Sequence, residues 1–311
     1  MRKEVIYSLK APYRDELRIS GYYFGSGEKS VCIVGAIRGN EVQQLYICSQ
    51  LIKALKELEA HGHIVQNNEI LVIPSVNHYS MNIGKRFWAV DNTDINRMFP
   101  GYDRGETTQR IAAGVFDKAQ HYNYGIQFAS FYMPGDFVPH VRMMETGYQS
   151  PSLANLFGLP YVVIRKPKPI DTTTLNYNWQ LWDTNALSVY TNETDLIDEK
   201  SAKQAVSAVL RFLTRMGIIR YNCHSGYIAS VIEEEELTTV HANAGGIFRR
   251  KKFPGQEVHH GEVIAEILDP YEGVVKAQVL SPTDGVIFFS HKKPLVMEHD
   301  VVCRIIRRLH E

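Results

Sequence analysis

Residues 30–60 of this chain read SVCIVGAIRGNEVQQLYICSQLIKALKELEA, and this stretch decides the fold. An apolar run, SVCIV, is followed by the turn GAIRGNE (Gly35–Glu41) and then by a helical pattern. Along that pattern apolar residues recur three and four positions apart, at Leu45, Cys48, Ile52, Leu55 and Leu58. A buried strand, a glycine turn and a helix that begins with a carboxylate predict one repeat of an α/β sheet.

The same alternation of strand and helix continues through the first two-thirds of the chain. Apolar runs predict five strands, namely SVCIVGAI from Ser30, EILVIPSV from Glu69, GIQFASF from Gly125, YVVIR from Tyr161 and ALSVYT from Ala186. Two further helical patterns begin at Glu106 and Ser201. Residues 1–219 are therefore predicted to form a three-layer α/β domain around a mixed, mostly parallel sheet. Ligands of such sheets bind where the strands end, and GAIRGNE lies at such an end.

The pattern changes after Ile219. Short strand-like pieces follow one another, namely YIASVI, GGIFRRKKF, EVIAEILD, VVKAQVLSPTDGVIFFS and VVCRIIRR. Turn sequences such as FPGQEV and DPYEG separate them. Residues 220–311 are therefore predicted to form a small all-β barrel or sandwich. The turn pattern resembles that of lipoyl- and biotin-carrier domains, but Lys276 is not in the Met-Lys-Met hairpin in which such domains carry their modified lysine. The domain is therefore interpreted as an unmodified structural lid or an oligomer contact.

The composition of the chain excludes some functional classes. The 34 Lys and Arg residues balance the 34 Asp and Glu residues. The chain therefore has no net positive charge that would favour nucleic acid or an anionic membrane as a partner. The first residues lack a long apolar segment, and no run of about 18 apolar residues predicts a membrane span. The four scattered cysteines are predicted to be reduced thiols, namely Cys32, Cys48, Cys223 and Cys303. These features predict a cytoplasmic protein.

A second motif identifies a family. The segment DNTDINRMFPG, Asp91–Gly101, matches the pattern D-[LI]-N-R-x-F-P-G, and GNE lies about fifty residues upstream. With these motifs the chain resembles the succinylglutamate desuccinylase/aspartoacylase family, which has a zinc carboxypeptidase-like fold. The resemblance covers nearly the whole chain, including SPTDGVIFFS in the C-terminal β domain.

The resemblance implies a zinc site whose residues are largely replaced here. In the family a histidine and a glutamate of the first turn and a histidine of a later strand bind zinc, and another glutamate is catalytic. This chain keeps Glu41 but has Arg38 and Ala129 at the two histidine positions. Gln127 stands where the family has an aspartate, and Tyr190 stands where it has the catalytic glutamate. The remaining catalytic candidates are Glu41, Arg38 and Tyr190.

These replacements predict that the site does not bind zinc. A catalytic zinc typically has about three protein ligands and an open position for water. Arg38 would repel a divalent cation and is expected to pair with Glu41. The alternative for this pair is a plain surface ion pair in the turn. We expect no cofactor; in a rival interpretation zinc is bound by relocated ligands, for which His78 and His140 are the better candidates.

The resemblance also implies a site for a carboxylate ligand. Asn96 and Arg97 of the second motif would bind the substrate carboxylate, with Arg86 of GKRFW as a third residue. Alternatively, Asn96 and Arg97 cap and tie a loop, and Tyr190 is a packed strand aromatic rather than a pocket residue.

The sequence thus predicts a member of a hydrolase family that binds a small carboxylate, such as an N-acyl amino acid, with lost or altered catalysis. One alternative is an active metal-dependent amidohydrolase with relocated ligands. Another is metal-free chemistry in which Glu41 is the base and Arg38 stabilises an oxyanion. A homo-oligomer is a possible assembly, whereas nucleic acid and membrane are not expected partners.

Overall fold

The computed structural model describes residues 1–147 and 150–308. The chain forms two compact units. The first contains Met1–Ser130 and His140–Val231. The second contains Phe131–Pro139 and the described residues from Ile232 onward.

Helices and strands alternate in the first unit, and strands dominate the second. The strands are β1 (Arg2–Ala11), β2 (Arg14–Ala36), β3 (Asn67–Ser75), β4 (Tyr124–Ala129), β5 (Gly135–Phe137), β6 (His140–Met144), β7 (Tyr161–Arg165), β8 (Asn185–Tyr190), β9 (Ser230–Glu233), β10 (Thr238–His241), β11 (Gly246–Arg250), β12 (Glu257–Val258), β13 (Val263–Leu268), β14 (Val275–Leu280), β15 (Gly285–His291), β16 (Leu295–Val296) and β17 (Val301–Arg307). The α-helices are α1 (Val42–Ala60), α2 (His78–Met81), α3 (Thr107–Ala119), α4 (Pro151–Asn155), α5 (Leu175–Leu181) and α6 (Glu199–Arg215). Short 3₁₀ turns cover Ile95–Arg97, Pro169–Asp171 and Glu234–Glu236.

The first unit is built on one mixed sheet. Its strands follow the order β1-β2-β4-β8-β6-β7-β9, and β3 also pairs with β2. The pairs of β2 with β3 and β4, of β4 with β8 and of β6 with β7 are parallel, whereas β1 and β8 pair antiparallel with β2 and β6. Helices α1 and α6 contribute Leu51 and Phe212 to the core on one face of the sheet. On the other face α3 and α5 contribute Ile111 and Trp179. The predicted three-layer α/β fold is confirmed.

Gly101 shows why the second motif ends in glycine. Its φ is 92°, in the left-handed region, and a Cβ atom there would lie 2.2 Å from the amide nitrogen of Ala113 in α3. Helix α3 begins two residues after Gly105 with a capping box, in which Glu106 and Gln109 bond each other's backbone. The motif therefore packs directly against α3 and is fixed relative to the sheet.

The second unit consists of two antiparallel sheets that share one apolar core. One sheet has the order β10-β17-β15-β12, with β5 also paired to β15. The other has the order β14-β13-β11-β16. Phe248 and Ile267 from the second sheet and Ile287 and Ile305 from the first lie in one core cluster. The predicted C-terminal all-β fold is confirmed, and it is a sandwich of two sheets.

The division into units differs from the predicted boundary at residue 219 in two places. First, residues 220–231 belong to the first unit because they bond to it: Arg211 Nε donates to the carbonyl of His224 at 2.6 Å, and Tyr227 N donates to the carbonyl of Gly158 at 3.0 Å. Second, Phe131–Pro139 belongs to the β unit, since β5 pairs with β15 there. A three-residue strand carries no periodic signal that the sequence could show.

Two further expectations concern cysteines and membranes. All four cysteines are free, and Cys32, Cys48 and Cys303 are buried, as predicted. Burial raises the pKa of the Cys303 thiol to about 12. Among the helices of the described residues, none is long and apolar enough to cross a membrane.

Candidate functional site

The candidate site begins at the turn between β2 and α1, at the carboxyl end of the strand. The amide of Gly39 donates to the carbonyl of Arg86 at 2.8 Å. A Cβ atom on Gly39 would lie 2.2 Å from the carbonyl oxygen of Lys85, so only glycine allows this approach. The turn and the segment that carries Arg86 are therefore held against each other by their backbones.

Glu41 is fully buried, and each of its two carboxylate oxygens accepts hydrogen bonds from two donors. Oε2 accepts the amides of Ile37 and Arg38, both at 2.9 Å. Oε1 accepts Arg38 Nη1 at 3.2 Å and the hydroxyl of Ser130. Arg38 is 6% exposed and Glu41 0%. The alternative of a plain surface ion pair is wrong, because the chain folds the turn around the carboxylate and excludes water from the pair.

Asp94 holds the other edge of the Arg38 guanidinium. Nη2 lies 2.8 Å from Oδ2 of Asp94, and Nε lies 3.1 Å from each carboxylate oxygen. Burial disfavours the charged guanidinium, but the charges of Glu41 and Asp94 outweigh burial and raise the pKa of Arg38. Asp94 also accepts the amide of Asn96 and so begins the 3₁₀ turn of the second motif. Arg38 thus joins the first motif to the second through two carboxylates.

The residues that the resemblance implied for the zinc positions do not fit a zinc ion. The oxygens of Glu41 already accept four hydrogen bonds, Ala129 has no donor atom, and Arg38 is a fixed cation. His78 and His140 do not replace the missing ligands: within residues 1–147 and 150–308, no three His, Cys, Asp or Glu side chains are grouped so that they could hold a metal.

Tyr190 lies at the end of β8, between two side chains of the neighbouring strand β6. The ring of His140 stacks on it with centroids 5.0 Å apart and an interplanar angle of 2°. The guanidinium carbon of Arg142 lies 5.0 Å from the centroid of the Tyr190 ring. Tyr190 is 8% exposed and His140 is 0% exposed. The tyrosine is therefore a packed aromatic of the sheet, and its ring fills the end of the strand next to Ala129, its partner in β4.

Arg86 lies within electrostatic range of the ion pairs at Arg38. Its Nη1 donates to the side-chain oxygen of Asn40, a neutral acceptor, at 3.3 Å. Burial lowers the pKa of Arg86, and the positive charge of Arg38 lowers it further. Glu41, Asp94 and Arg97 also act on its charge. An anion beside Arg86 would stabilise its charged form and so raise its pKa again.

Arg97 and Asn96 tie a loop, as the alternative interpretation has it. Arg97 Nη1 donates to the carbonyl of Ile170 at 2.6 Å and lies 3.3 Å from Oδ1 of Asp171. The side-chain oxygen of Asn96 accepts the amide of Leu175 at 3.4 Å. Both contacts attach the segment before α5 to the second motif. These bonds use part of the hydrogen-bonding capacity of Arg97, whose side chain is still 28% exposed.

Asp171 also forms an ion pair with a second arginine, Arg165, for which the sequence predicted no role. Arg165, at the end of β7, donates from Nη2 to Oδ2 of Asp171 at 2.9 Å. The same oxygen accepts the amide of Lys168 at 2.9 Å. Asp171 is 2% exposed. One buried carboxylate therefore contacts two guanidinium groups.

These ion pairs form one charged cluster at the carboxyl ends of the strands. The cluster comprises Arg38, Arg86, Arg97, Arg165, Glu41, Asp94 and Asp171. Arg38 contacts both Glu41 and Asp94, whereas Arg97 and Arg165 contact Asp171. Guanidinium groups suit the planar, two-oxygen geometry of a carboxylate.

The structure brings together most of the residues that the sequence singled out, and adds others. Arg38, Glu41, Arg86 and Arg97 lie in the charged cluster, and Ala129 and Tyr190 are neighbours on adjacent strands. No role was predicted for the acids and the hydroxyl that complete the ion pairs, which are Asp94, Asp171 and Ser130. Asp94 could have been found, because a buried arginine needs an acid and Asp94 starts the second motif. Asp171 carried no such signal.

The sequence and the fold were compared with known proteins. The family model of the succinylglutamate desuccinylase/aspartoacylase catalytic domain matches residues 27–215, which is more than half of the 311 residues. No curated protein matches the sequence. Within the matched range lie both motifs, Ala129 and Tyr190.

Several solved structures share the fold. A succinylglutamate desuccinylase/aspartoacylase from Rhodobacter sphaeroides is 21% identical with a TM-score of 0.76, over 95% of this chain and 91% of that chain. A succinylglutamate desuccinylase from Silicibacter is 18% identical with a TM-score of 0.79, over 96% and 91%. The product-bound ectoine utilization protein EutE from Ruegeria pomeroyi is 17% identical with a TM-score of 0.77, over 93% and 89%. At these identities the likeness shows the fold alone.

Proposed function

Because this chain belongs to the succinylglutamate desuccinylase/aspartoacylase family, we propose that its charged cluster binds a small carboxylate of the N-acyl amino acid class and that the zinc-dependent hydrolysis of the family is lost or altered in it. One observation carries the proposal. The guanidinium of Arg38, at a family zinc-ligand position, is buried between the carboxylates of Glu41 and Asp94.

The arrangement around Arg38 supports the loss of zinc. A zinc ion carries two positive charges and withdraws electrons from its bound water, which supplies the nucleophile. A guanidinium carries one charge, keeps its protons at every accessible pH and activates no water. Here that charge is balanced by two carboxylates, so Arg38 serves as a cross-link between the two motifs. Tyr190, packed against His140, has no carboxylate with which to accept a proton from water.

The other arginines support the binding of a carboxylate. Arg86 has a lowered pKa because it is buried close to another cation, and a carboxylate ligand would offset both effects. Arg97 and Arg165 both contact Asp171, so two guanidinium groups lie close together at this edge of the sheet. Closely spaced guanidinium groups are suited to bind the carboxylate of a ligand.

Elemental analysis tests the metal part of the proposal. Wild-type protein, purified and then incubated with zinc and desalted, is expected to carry far less than one zinc per chain. The variant with Arg38→His and Ala129→His has two imidazoles beside Glu41 and is expected to bind about one zinc per chain. About one chelator-sensitive zinc per wild-type chain, together with hydrolysis of N-acyl amino acids, would establish the rival amidohydrolase instead.

Calorimetry tests the ligand part. N-acetyl-L-glutamate is titrated into the wild type, and its uncharged diamide serves as the matched ligand control. The proposal expects heat of binding from the acid only. Arg86→Ala is expected to weaken binding by about tenfold or more, since it removes a charge-assisted hydrogen bond. Exposed Arg220→Ala is the control variant and should bind as the wild type does. Equal binding of the acid and the diamide contradicts an anion site.

A further inference from the structure

Arg14 lies against two aromatic rings, one in α2 and one in the loop that follows it. Arg14 is the first residue of β2, directly after the hairpin turn that joins β1 to β2. Its guanidinium carbon lies 4.5 Å from the centroid of the Tyr79 ring and 5.5 Å from that of the Trp88 ring. A cation within about 6 Å of an aromatic centroid is attracted by the ring, and tryptophan attracts it most strongly. Arg14 therefore ties the hairpin to both rings.

The orientation of the Trp88 ring depends on such contacts. Trp88 is fully buried and packs on Tyr79 with ring centroids 5.6 Å apart. Its indole Nε1 has no hydrogen-bond acceptor among the residues that the structure describes. Trp179, which is equally buried, donates its Nε1 to the carbonyl of Ala119 at 2.9 Å. A hydrogen bond thus orients the ring of Trp179, whereas packing and the Arg14 cation orient the ring of Trp88.

Trp88 is connected to the charged cluster through Arg86, which lies two residues before it in the loop after α2. The carbonyl of Arg86 accepts the amide of Gly39 at 2.8 Å. On the other side of Trp88, the amide of Ala89 donates to the hydroxyl of Ser80 at 3.0 Å. Two residues span at most about 7 Å of chain, so a shift of Trp88 is passed on to Arg86.

The hairpin turn beside Arg14 is open to solvent. Ala11 of β1 pairs with Arg14 of β2, and Pro12 and Tyr13 form the turn between them. The Tyr13 side chain is 99% exposed. The hairpin therefore has one end in water, while its Arg14 reaches a buried ring beside the candidate site.

We infer that the β1–β2 hairpin regulates the charged cluster, and that Arg14 is the positioning residue that couples the hairpin to Arg86. The inference rests on the proposed carboxylate binding. With Arg14 on the rings, Trp88 is held in place and the loop keeps Arg86 beside Asn40, whose side-chain oxygen accepts Arg86 Nη1. With Arg14 withdrawn, Trp88 loses its cation and Arg86 is held less firmly. The first state binds the ligand more tightly, and by linkage a bound ligand favours that state.

Calorimetry with N-acetyl-L-glutamate tests the coupling in the full chain. Arg14→Gln keeps the start of the side chain and removes the charge, and it is expected to weaken binding about threefold or more. Arg14→Lys keeps a cation beside the rings and is expected to retain most of the affinity. Arg18→Gln removes an exposed arginine of the same strand and is the control, with unchanged affinity. A circular dichroism melt of each variant checks the fold.

A double-variant cycle separates positioning from a general loss of stability. In an Arg86→Ala background Arg14→Gln is expected to have little further effect on affinity, because Arg14 acts through Arg86. Equal weakening in both backgrounds overturns the inference, since the effect would then not pass through Arg86. Wild-type affinity in Arg14→Gln overturns it as well.

Hydrogen exchange tests the same coupling without a ligand. Arg14→Gln is expected to speed the exchange of the Gly39 and Ala89 amides, which hold the loop on both sides of Trp88, whereas Arg18→Gln leaves both rates unchanged. If the wild type gives no heat with N-acetyl-L-glutamate, the proposed function is contradicted, but faster exchange in Arg14→Gln still supports the coupling. Unchanged exchange in Arg14→Gln overturns the inference whether or not the ligand binds.

Discussion

At the scale of a single residue, Arg38 is the buried cation that joins the first motif to the second. It contributes one charge to a place enclosed by Glu41 and Asp94, and both carboxylates are within hydrogen-bonding distance of its guanidinium. At about 4 Å one such pair is worth roughly 4 kcal/mol of Coulomb energy at an effective dielectric constant near 20, before desolvation is subtracted. The residue is therefore a support for the site rather than a group with a free face for substrate.

Removing Arg38 is expected to destabilise the fold. Arg38→Ala leaves Glu41 buried with only its amide and hydroxyl donors, and leaves Asp94 without its cation. Breaking a buried ion pair by removing one partner typically costs about 3–5 kcal/mol. Urea denaturation followed by circular dichroism should show a loss of this size in the free energy of unfolding.

The matched control for Arg38 is an exposed pair. Arg18 donates to Glu16 at 2.8 Å on the surface of β2, and Arg18→Ala is expected to leave the urea midpoint nearly unchanged, because water screens an exposed pair. If the two variants unfold at the same urea concentration, water reaches the Arg38 pair and its structural role is refuted. The triple variant with Glu41→Gln and Asp94→Asn added to Arg38→Ala should regain part of the lost stability, because no buried carboxylate remains.

The sequence predicted some members of the site better than others, for a physical reason. Glu41 and Arg38 are three residues apart in a turn, so their pairing follows from local geometry. Asp94 meets Arg38 across 56 residues and Asp171 meets Arg97 across 74 residues, and only the folded chain brings each pair together. The packing of Tyr190 on His140 likewise depends on β6 lying antiparallel to β8, which no local pattern reveals.

At the scale of elements, length and apolar pattern together determined what could be predicted. Helices α1, α3 and α6 have 19, 13 and 17 residues, long enough for the apolar spacing to show, and each was predicted. Mostly apolar strands such as β7 were also predicted, whereas β1, a largely exposed strand of 10 residues, was missed. Short elements such as α2 and β5, with four and three residues, were missed because so few positions define no period.

Strand β15 gives the β unit a pH dependence. Its last residue, His291, is 4% exposed and lies edge-on to Phe248, with ring centroids 5.2 Å apart. Burial lowers the pKa of His291, partly opposed by the charge of Asp300. The folded state therefore binds a proton less readily than the unfolded state. Stability from the neutral ring is fully present above about pH 6.5 and falls as the pH drops below that value.

Melts between pH 7.5 and 5.0 measure this dependence. The free energy of unfolding should fall with decreasing pH by at most about 1.4 kcal/mol per pH unit for this one group. Half-buried His78, whose pKa burial also lowers, acts in the same direction. His291→Gln should flatten the pH profile, whereas exposed His260→Gln should not. An unchanged slope in His291→Gln would remove this residue from the explanation.

At the scale of the whole molecule, the two units are not consecutive in sequence. The segment Phe131–Pro139, which we call the strap, leaves the first unit after β4 and returns to it at β6. In the β unit Phe137 of the strap packs on Phe289 with ring centroids 4.6 Å apart. Asp136 is 2.6 Å from Arg250 Nη1 and 3.6 Å from Lys292 Nζ. The strap is therefore part of the small core.

Residues 232–311 expressed alone are therefore expected not to fold. Without the strap β15 loses a partner strand, the core loses Phe137, and two cations lose Asp136. The same residues with Phe131–Pro139 joined through a flexible Gly/Ser linker are expected to fold. Dispersion of amide signals in NMR spectra distinguishes the two cases. If the shorter fragment folds with the stability of the longer one, the strap contributes nothing to this unit.

The strap also sets a delay during synthesis. A ribosome adds about 5–20 residues per second, so the residues from 140 to 231, which separate the strap from the rest of its unit, take on the order of five to twenty seconds. Strands β6, β7 and β8 are made during that time, whereas β15, the partner strand of β5 in the strap, is not yet made. The rings of Phe131 and Phe137, which are stacked 3.5 Å apart in the folded protein, then lack the β unit against which they pack. We expect an aromatic segment in this state to be bound by a chaperone that recognises apolar segments.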